Sequence, residues 1–306
     1  KKMQEDGIPP NAISFTYILK ACGAIANIAM GEEIHIEVCK RGLLKKNIIL
    51  STSLVDMYAK CGALNKAREV FDNIPDPNIV AWSALIGGYA QHCFGDEALD
   101  CFARMKAAGM SPDVVTFISL LKACADIGSL KTGEMLHVEM SNLRLLEKEH
   151  VLGTTLVNMY AKCGALGKAR EVFDELPVQD VATWNALIDG YAEHAQSEEA
   201  LNCFQEMQKD GFSPTTTICL SLLSAFSHSG LLDEGVKYFE NMSKKYDIIP
   251  TIEHYACMVD LLARAGCLVE AIVIAKKLPC LSYLPVWDIL IGASQKWGNV
   301  AVGRLA

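Results

Sequence analysis

Apolar residues recur three or four positions apart along most of the chain, which is the spacing that places them on one face of an α-helix. Residues 80–86 predict one such helix, and Ala98, Leu99, Phe102 and Met105 form the apolar stripe of the next. The two stripes predict a pair of helices that bury their apolar faces against each other and against neighbouring pairs.

The ends of this helix pair have their own signals. Asp96 and Glu97 begin the second helix, where negative charge is favourable to the helix dipole. We expect Gly95 to mark the turn before it, because glycine punctuates helical patterns. Gly109 and Pro112 then stop the second helix and turn the chain into the next pair.

The same pattern returns at an offset of 102 residues. Residues 57–64 recur unchanged at 159–166, residues 66–72 recur at 168–174, and a looser third pass covers 258–266. Within each 102-residue block the order of apolar helix, turn and second apolar helix occurs three times at unequal lengths. Such a repeat predicts an all-α fold, a right-handed superhelical α-solenoid of stacked helix-turn-helix repeats.

The aromatic residue near the start of each first helix aligns the repeats with one another and so places the unit boundaries. Residues 1–11 are then the tail of a truncated repeat, and residues 284–306 begin a further motif, so we expect the natural protein to extend beyond both ends. The complete units are predicted at 12–47, 48–78, 79–113, 114–149, 150–180, 181–215, 216–251 and 252–283.

Composition narrows the possibilities. Hydrophobic residues make up 51% of the chain, yet no uncharged apolar run reaches the roughly 18 residues of a membrane span, so we expect no membrane partner. Twelve cysteines include no Cys-x-x-Cys, and several recur at one repeat position, which indicates packing thiols in a reducing compartment. The net charge of −8 argues weakly against nucleic acid as the partner.

Several segments resemble the pentatricopeptide repeat family, in its plant-type subclass that cycles through long (L), short (S) and standard (P) motifs. The resemblance spans essentially the whole chain and is carried by Val55-Asp56-Met57-Tyr58-Ala59-Lys60-Cys61-Gly62, Arg68-Glu69-Val70-Phe71-Asp72 and Thr183-Trp184-Asn185-Ala186-Leu187-Ile188. It implies L units at 12–47 and 114–149, S units at 48–78 and 150–180, and P units at 79–113 and 181–215.

The last units resemble the C-terminal part of that subclass. The markers are His254-Tyr255-Ala256-Cys257-Met258-Val259-Asp260-Leu261-Leu262 and Val286-Trp287-Asp288-Ile289-Leu290. They imply an L2 unit at 216–251, an S2 unit at 252–283 and the start of an extension (E) motif at 284–306. This order of units is typical of RNA-editing specificity factors of the chloroplast or mitochondrion, which bind single-stranded RNA.

Family members read one RNA base per unit, and the resemblance assigns the reading to the fifth and last residues of each unit. The family's preferences then give A-A-G-N-G-Y from 5′ to 3′. Ile118, Leu220 and Ala256 occupy fifth positions but cannot hydrogen bond a base, so we expect their units to be spacers. The predicted base-reading pairs are Thr16 with Asn47, Thr52 with Asn78, Ser83 with Asp113, Thr154 with Asp180, and Asn185 with Thr215.

Two further sets of residues complete the predicted interface. The second residue of a unit is expected to stack on bases, although these aliphatic side chains could instead pad the packing between first helices; the set is Ile13, Ile49, Val80, Val115 and Val151. The last residue of the first helix is expected to bind phosphate, with a solvated helix end as the alternative. These residues are Lys60, Lys162 and Arg264.

Catalytic signals are weak. His35-x-Glu37 and His137-x-Glu139 resemble half of a zinc deaminase motif, but the Pro-Cys-x-x-Cys half is absent. We therefore expect no enzyme activity, metal or cofactor in this chain. The deaminase is expected as a domain outside this chain or as a separate deaminase-bearing protein, with editing accessory factors as further partners. Two alternatives remain open: RNA stabilisation or translation control without editing, and a protein scaffold. The polar fifth and last residues argue against the scaffold.

Overall fold

The computed structural model describes residues 10–44, 47–278 and 284–299, and in these residues it contains seventeen α-helices and no β-strand. The first helices of the pairs are α1 (Ala12–Ala24), α3 (Ile48–Lys60), α5 (Ile79–Gln91), α7 (Val114–Ile127), α9 (His150–Lys162), α11 (Val181–Glu193), α13 (Thr216–Ser229), α15 (Ile252–Arg264) and α17 (Leu284–Lys296). The second helices are α2 (Ile28–Lys40), α4 (Leu64–Asp72), α6 (Gly95–Ala107), α8 (Leu130–Asn142), α10 (Leu166–Glu175), α12 (Ser197–Lys209), α14 (Leu232–Lys245) and α16 (Leu268–Ala275).

The chain divides into two compact units, each of which contains several of the repeats. The first unit is Lys1–Met159 and the second unit is Tyr160–Ala306. In the first unit α1 packs on α3, α3 on α5, and α5 on α7, while each second helix packs against its own first helix. In the second unit α11 packs on α13, α13 on α15, and α15 on α17. Each unit is therefore a stack of helix pairs, which confirms the predicted α-solenoid class. The assignment of L, S and P types stays a prediction.

Aromatic residues fill the space between successive pairs. In the first unit the rings of Phe71 and Trp82 meet edge to face with centroids 4.5 Å apart. In the second unit Phe173 and Trp184 repeat this contact at 4.4 Å. All four side chains are buried, so the aromatic position that places the unit boundaries is a position of the hydrophobic core.

Glycines act in two different ways. Gly62 and Gly164 follow first helices with φ of +75°, a left-handed conformation that glycine adopts without steric cost. The prediction that Gly95 marks a turn is wrong. Gly95 is the first, buried residue of α6, and a Cβ there would meet the side chain of Ile127, so close packing requires the glycine. The turn residue with positive φ is Cys93.

No disulfide joins the cysteines of the described residues. Cys22 and Cys124, at one repeat position, are buried, as are Cys101 and Cys203 at another. No helix in the described parts of the chain is long and apolar enough to cross a membrane. Most of the predicted N-terminal tail, the last residue of the unit at 252–283 (Tyr283) and the end of the predicted E motif lie outside the described residues.

Candidate nucleic-acid interface

A groove of about 490 Å³ runs past α3, α5 and α7 in the first unit. Its lining includes Lys60 from the end of α3, Val80 and Ser83 from α5, and Asp113 and Val115 at the start of α7. The groove therefore brings together residues from all three predicted sets: base-reading, stacking and phosphate-binding.

Ser83 and Asp113 meet at the floor of this groove. The Ser83 hydroxyl lies 2.8 Å from the Ile79 carbonyl oxygen, 3.2 Å from Asp113 Oδ1 and 2.6 Å from Thr116 Oγ1. Asp113 Oδ1 also accepts the backbone N–H of Thr116 at 2.8 Å. A hydroxyl has one proton to donate and a carboxylate has none, so the cluster is rich in acceptors and suits a ligand that donates N–H groups.

The last residues of the units have a structural role that the sequence analysis missed. The five last residues that are predicted to read bases are each the N-cap of the following first helix, where the side-chain oxygen accepts a backbone N–H three residues later and contributes about 0.5–2 kcal/mol to stability. The distances are 3.2 Å for Asn47, 2.9 Å for Asn78, 2.8 Å for Asp113, 2.8 Å for Asp180 and 3.3 Å for Thr215. A polar residue just before an apolar run is the known signal of an N-cap.

This capping role changes one argument from the sequence. Asn, Asp and Thr are favoured N-caps in any helical protein, so these residues at the last positions do not distinguish an RNA reader from a scaffold. The distinction has to rest on the groove and on the other predicted positions.

Asp180, in the second unit, is an ionised acceptor. Partial burial opposes its charge, but hydrogen bonds from the Thr183 hydroxyl and backbone N–H outweigh this effect and hold the pKa of Asp180 below its usual range. Its predicted partner Thr154 belongs to the first unit, where its hydroxyl lies 3.4 Å from the His150 carbonyl oxygen.

Two fifth-position residues carry polar atoms without a partner. Thr52 Oγ1 and Asn185 Oδ1 are both buried with no hydrogen bond. Buried polar groups are nearly always satisfied, so each exception calls for an explanation. Thr16 differs, because its hydroxyl donates to the Ala12 carbonyl oxygen at 3.0 Å.

Three other predicted pairs have both residues in the same compact unit, but their side chains are not hydrogen bonded to each other as those of Ser83 and Asp113 are. In the described residues no hydrogen bond links Thr16 to Asn47, Thr52 to Asn78, or Asn185 to Thr215. Asn47 instead lines a different cavity of about 990 Å³ between α2, α3 and α4. The half-buried Ile118, Leu220 and Ala256 offer no polar group at their fifth positions.

The predicted stacking residues are all largely exposed. Side chains that padded the packing between first helices would be buried, so exposure argues against that alternative. The exposed fractions are 65% for Ile13, 64% for Ile49, 57% for Val80, 59% for Val115 and 59% for Val151.

The predicted phosphate-binding residues lie at the ends of first helices and are exposed. Lys60 Nζ pairs with Asp56 Oδ2 at 2.8 Å, and Arg264 Nε pairs with Asp260 Oδ2 at 2.8 Å. Exposed ion pairs of this kind contribute about 0.2–1 kcal/mol, so a phosphate oxygen can compete for the cation.

The sequence analysis did not identify several groove residues: Asp56, Gly87, Gln91, Ser119 and Lys122. A signal for most of them was available. Positions 2, 5, 9 and 13 of a helix lie on one face because 3.6 residues make a turn. Extending that face from Val80 and Ser83 leads to Gly87 and Gln91.

The rejected deaminase resemblance is a packing feature in the structure. His35 Nδ1 lies 2.9 Å from the Tyr58 hydroxyl, and Glu37 pairs with Arg41 at 2.7 Å. Burial lowers the pKa of His35 and raises that of Tyr58 to about 12, so both are neutral at pH 7. No cluster of three or more candidate metal ligands occurs among the described residues.

Models of known families match much of the chain. The pentatricopeptide repeat domain model matches residues 1–24, the PPR repeat model matches 49–76, 154–181 and 217–246, and the PPR repeat family model matches 77–126 and 179–220.

Relatives from Arabidopsis thaliana align with all of the chain. The putative pentatricopeptide repeat-containing protein At3g28640 is 36% identical over 306 residues, and the alignment covers 61% of that protein. The mitochondrial protein At3g25060 is 36% identical with 50% covered, and the chloroplastic protein CRR2 is 38% identical with 47% covered. The chain thus spans about half the length of the curated relatives it matches.

A solved structure has the same fold. The pentatricopeptide repeat protein PPR10, in complex with an 18-nt psaJ RNA element, superposes with a TM-score of 0.80 at 18% identity, covering 99% of this chain and 46% of that one. The helix pairs, the family models and the alignments over the whole of this chain agree: the chain belongs to the pentatricopeptide repeat family.

Proposed function

We propose that this chain binds single-stranded RNA sequence-specifically and reads about one base per repeat. The observation that carries the proposal is the groove of the first unit, which gathers Lys60, Val80, Ser83, Asp113 and Val115. The RNA complex of PPR10, a protein of the same fold, supports it.

The chemistry of the groove suits a base. Exposed Val80 and Val115 offer apolar surfaces for the faces of a base, while Ser83 and Asp113 present acceptors to its edge. Guanine carries N–H donors on that edge, in agreement with the G that the family's preferences give for this unit. Bases bound at the repeats 48–78 and 181–215 would also supply partners for Thr52 Oγ1 and Asn185 Oδ1.

The test is the affinity of this chain for a strand carrying A-A-G-N-G-Y, measured by fluorescence anisotropy at a stated salt concentration. A scrambled strand of equal composition and a duplex serve as controls. Preference for the coded strand supports the proposal. Failure to bind any strand contradicts it and favours a protein scaffold, which the net charge of −8 also suits.

One variant separates base reading from helix capping. Asp113→Asn keeps an equally good N-cap but replaces one of the two acceptor oxygens with an amide NH₂ group that donates. The preferred third base should change from G to A, with the thermal unfolding midpoint unchanged. An unchanged preference would contradict the role assigned to Asp113.

We further propose that the RNA-binding chain is the specificity part of a C-to-U editing factor in the chloroplast or mitochondrion. The support is the editing-type pattern of residues 254–262 and 286–290 and the organellar names of relatives. A deaminase-bearing protein or domain would act on the positioned C, with editing accessory factors as further partners.

Transcript sequencing in a plant mutant that lacks this protein tests the editing role. Loss of C-to-U conversion at a site preceded by a match to A-A-G-N-G-Y would support it. Intact editing with altered transcript ends or altered translation would favour the alternative of RNA stabilisation or translation control.

A further inference from the structure

The residue four positions before each terminal cation differs between repeats. Asp56 precedes Lys60 and Asp260 precedes Arg264, and both carboxylates form ion pairs of 2.8 Å with those cations. The middle copy has Asn158 before Lys162. Residues four apart lie next to each other on a helix, so each Asp is placed to hold its cation.

The Asp56 pair lies inside the candidate interface, because both Asp56 and Lys60 line the groove. In the second unit Asp260 is held further by the Ser227 hydroxyl, which donates to Asp260 Oδ2 at 2.5 Å. Lys162 is exposed and has no carboxylate within ion-pairing distance among the described residues. The three cations that share one repeat position thus differ in how they are paired.

We propose that the residue four positions before the terminal cation sets how much each repeat contributes to binding the RNA backbone. Asp56 and Asp260 restrain Lys60 and Arg264, whereas Lys162, preceded by Asn158, is the dominant phosphate contact of the three. This inference rests on the proposed RNA binding and concerns positioning residues, which act through the neighbouring cation.

The reason is electrostatic competition. A paired Lys60 has to exchange or share Asp56 before it neutralises a phosphate, and the pair as a whole carries no net charge. Counterion release, which drives binding to RNA, depends on the number of phosphates that cations neutralise. Lys162 carries its full charge without an internal competitor, so its contact should release more counterion.

The experiment is a salt titration of the affinity for the coded strand with two reciprocal variants. For a single strand each phosphate contact contributes about 0.7 to the slope of log K against log salt. Asp56→Asn should steepen the slope by up to about 0.7 and tighten binding about two- to fivefold. Asn158→Asp should flatten the slope and weaken binding by similar amounts.

Two controls isolate the ion pair from other effects of the substitution. Asp56→Glu keeps a carboxylate that can pair at the same spacing and should behave as the wild type. In a Lys60→Met background, Asp56→Asn should no longer steepen the slope, as a double-mutant cycle requires of residues that act through each other. Base preference should be unchanged in Asp56→Asn, and the free energy of unfolding should fall by no more than about 1 kcal/mol.

The removal of each cation gives an independent check. Lys162→Met should reduce affinity and flatten the slope more than Lys60→Met does. Equal losses of affinity in the two variants would overturn the inference, and so would the same salt slope for Asp56→Asn and the wild type. The proposed function would still stand in either case if the wild type binds RNA base-specifically. Tightening by Asp56→Asn that persists without Lys60 would also overturn it. A wild type that binds no RNA strand refutes both proposals.

Discussion

The two near-identical copies in this chain agree in their packing and differ in their groove. Phe71 and Trp82 in the first unit and Phe173 and Trp184 in the second make the same edge-to-face contact, with interplanar angles of 64° and 62°. His92 Nε2 in the first unit lies 2.9 Å from the Ala59 carbonyl oxygen, and His194 Nε2 in the second lies 2.9 Å from the Ala161 carbonyl oxygen.

The groove positions show the contrast. Ser83 corresponds to Asn185, Gly87 to Asp189, and Asp56 to Asn158. A close-packed interior tolerates little change of volume, whereas a residue that faces solvent is free of that restriction. The comparison teaches that packing fixes the repeat and that the groove is where one repeat differs from another.

The largest expected effect breaks the shared packing. Phe71→Ala and Phe173→Ala remove fully buried rings and should each lower the free energy of unfolding by about 3–5 kcal/mol, measured by urea denaturation. The two losses should be similar because the contacts are. Val80→Ala, at an exposed groove position, should stay within about 0.5 kcal/mol. A loss for either Phe variant as small as that of Val80→Ala would contradict the comparison.

Adjacent glycines offer a sharper contrast. A Cβ at Gly88 would overlap the Cβ of Ala59, and one at Gly190 would overlap that of Ala161. Gly88→Ala and Gly190→Ala should therefore destabilise by about 1–3 kcal/mol. At Gly87 a Cβ would meet only Ser119 Oγ, at 3.4 Å.

Gly87→Ala is therefore the matched control for Gly88→Ala. It should stabilise the protein by up to about 1 kcal/mol, because alanine is the better helix former. Thermal or urea unfolding of the two variants should give shifts of opposite sign. Shifts of the same sign would show that the contact between α3 and α5 does not decide which glycine is required.

The next effect concerns recognition. Asn185→Thr should move the preference at its base from pyrimidine to purine, and Ser83→Asn should move its own base from purine to pyrimidine. A change of about 1 kcal/mol, or about fivefold in relative affinity, is expected for one exchanged hydrogen bond. Competition binding with strands that differ at one base measures it. An unchanged base profile in both variants would refute the assigned code.

The smallest expected effect is a pH dependence of stability, and it comes from the third, looser copy of the repeat. His254 is fully buried, and its ring lies 2.7 Å from Thr251 Oγ1 and 3.0 Å from the Thr216 carbonyl oxygen. Burial lowers the pKa of His254 more than the Thr216 carbonyl and the Glu253 charge raise it. Since the folded pKa is depressed, the stabilising contribution is complete above the unfolded value of about 6.5 and is lost as pH falls below it.

Thermal unfolding between pH 7.5 and 5.5 tests this dependence. The midpoint should fall with pH, and His254→Asn should be less stable at pH 7.5 but show a flatter pH dependence. His35, whose pKa is also lowered by burial, is present in the variant and should account for pH dependence that remains there. Equal pH dependence in the variant and the wild type would contradict the role given to His254.

Sequence reasoning was strongest where structure is local. The first helices begin at the residues where the units were placed, because apolar spacing and turn residues act over a few positions. It failed for Gly95, where glycine is required because a Cβ would meet the side chain of Ile127 in the next helix pair. It also overlooked that Asn78 and Asp113 are N-caps, although the signal for capping was present.

The sequence by itself determined the repeat, the helices and the family, since these follow from periodicity and motif. Only the tertiary structure decided which side chains share a groove. Ser83 and Asp113 are 30 residues apart and meet because α5 packs on α7. The structure also decided that Val80 and Val115 are exposed and that Asn185 Oδ1 is buried without a partner. Burial and pairing depend on the stacking of one helix pair on the next, which no local pattern specifies.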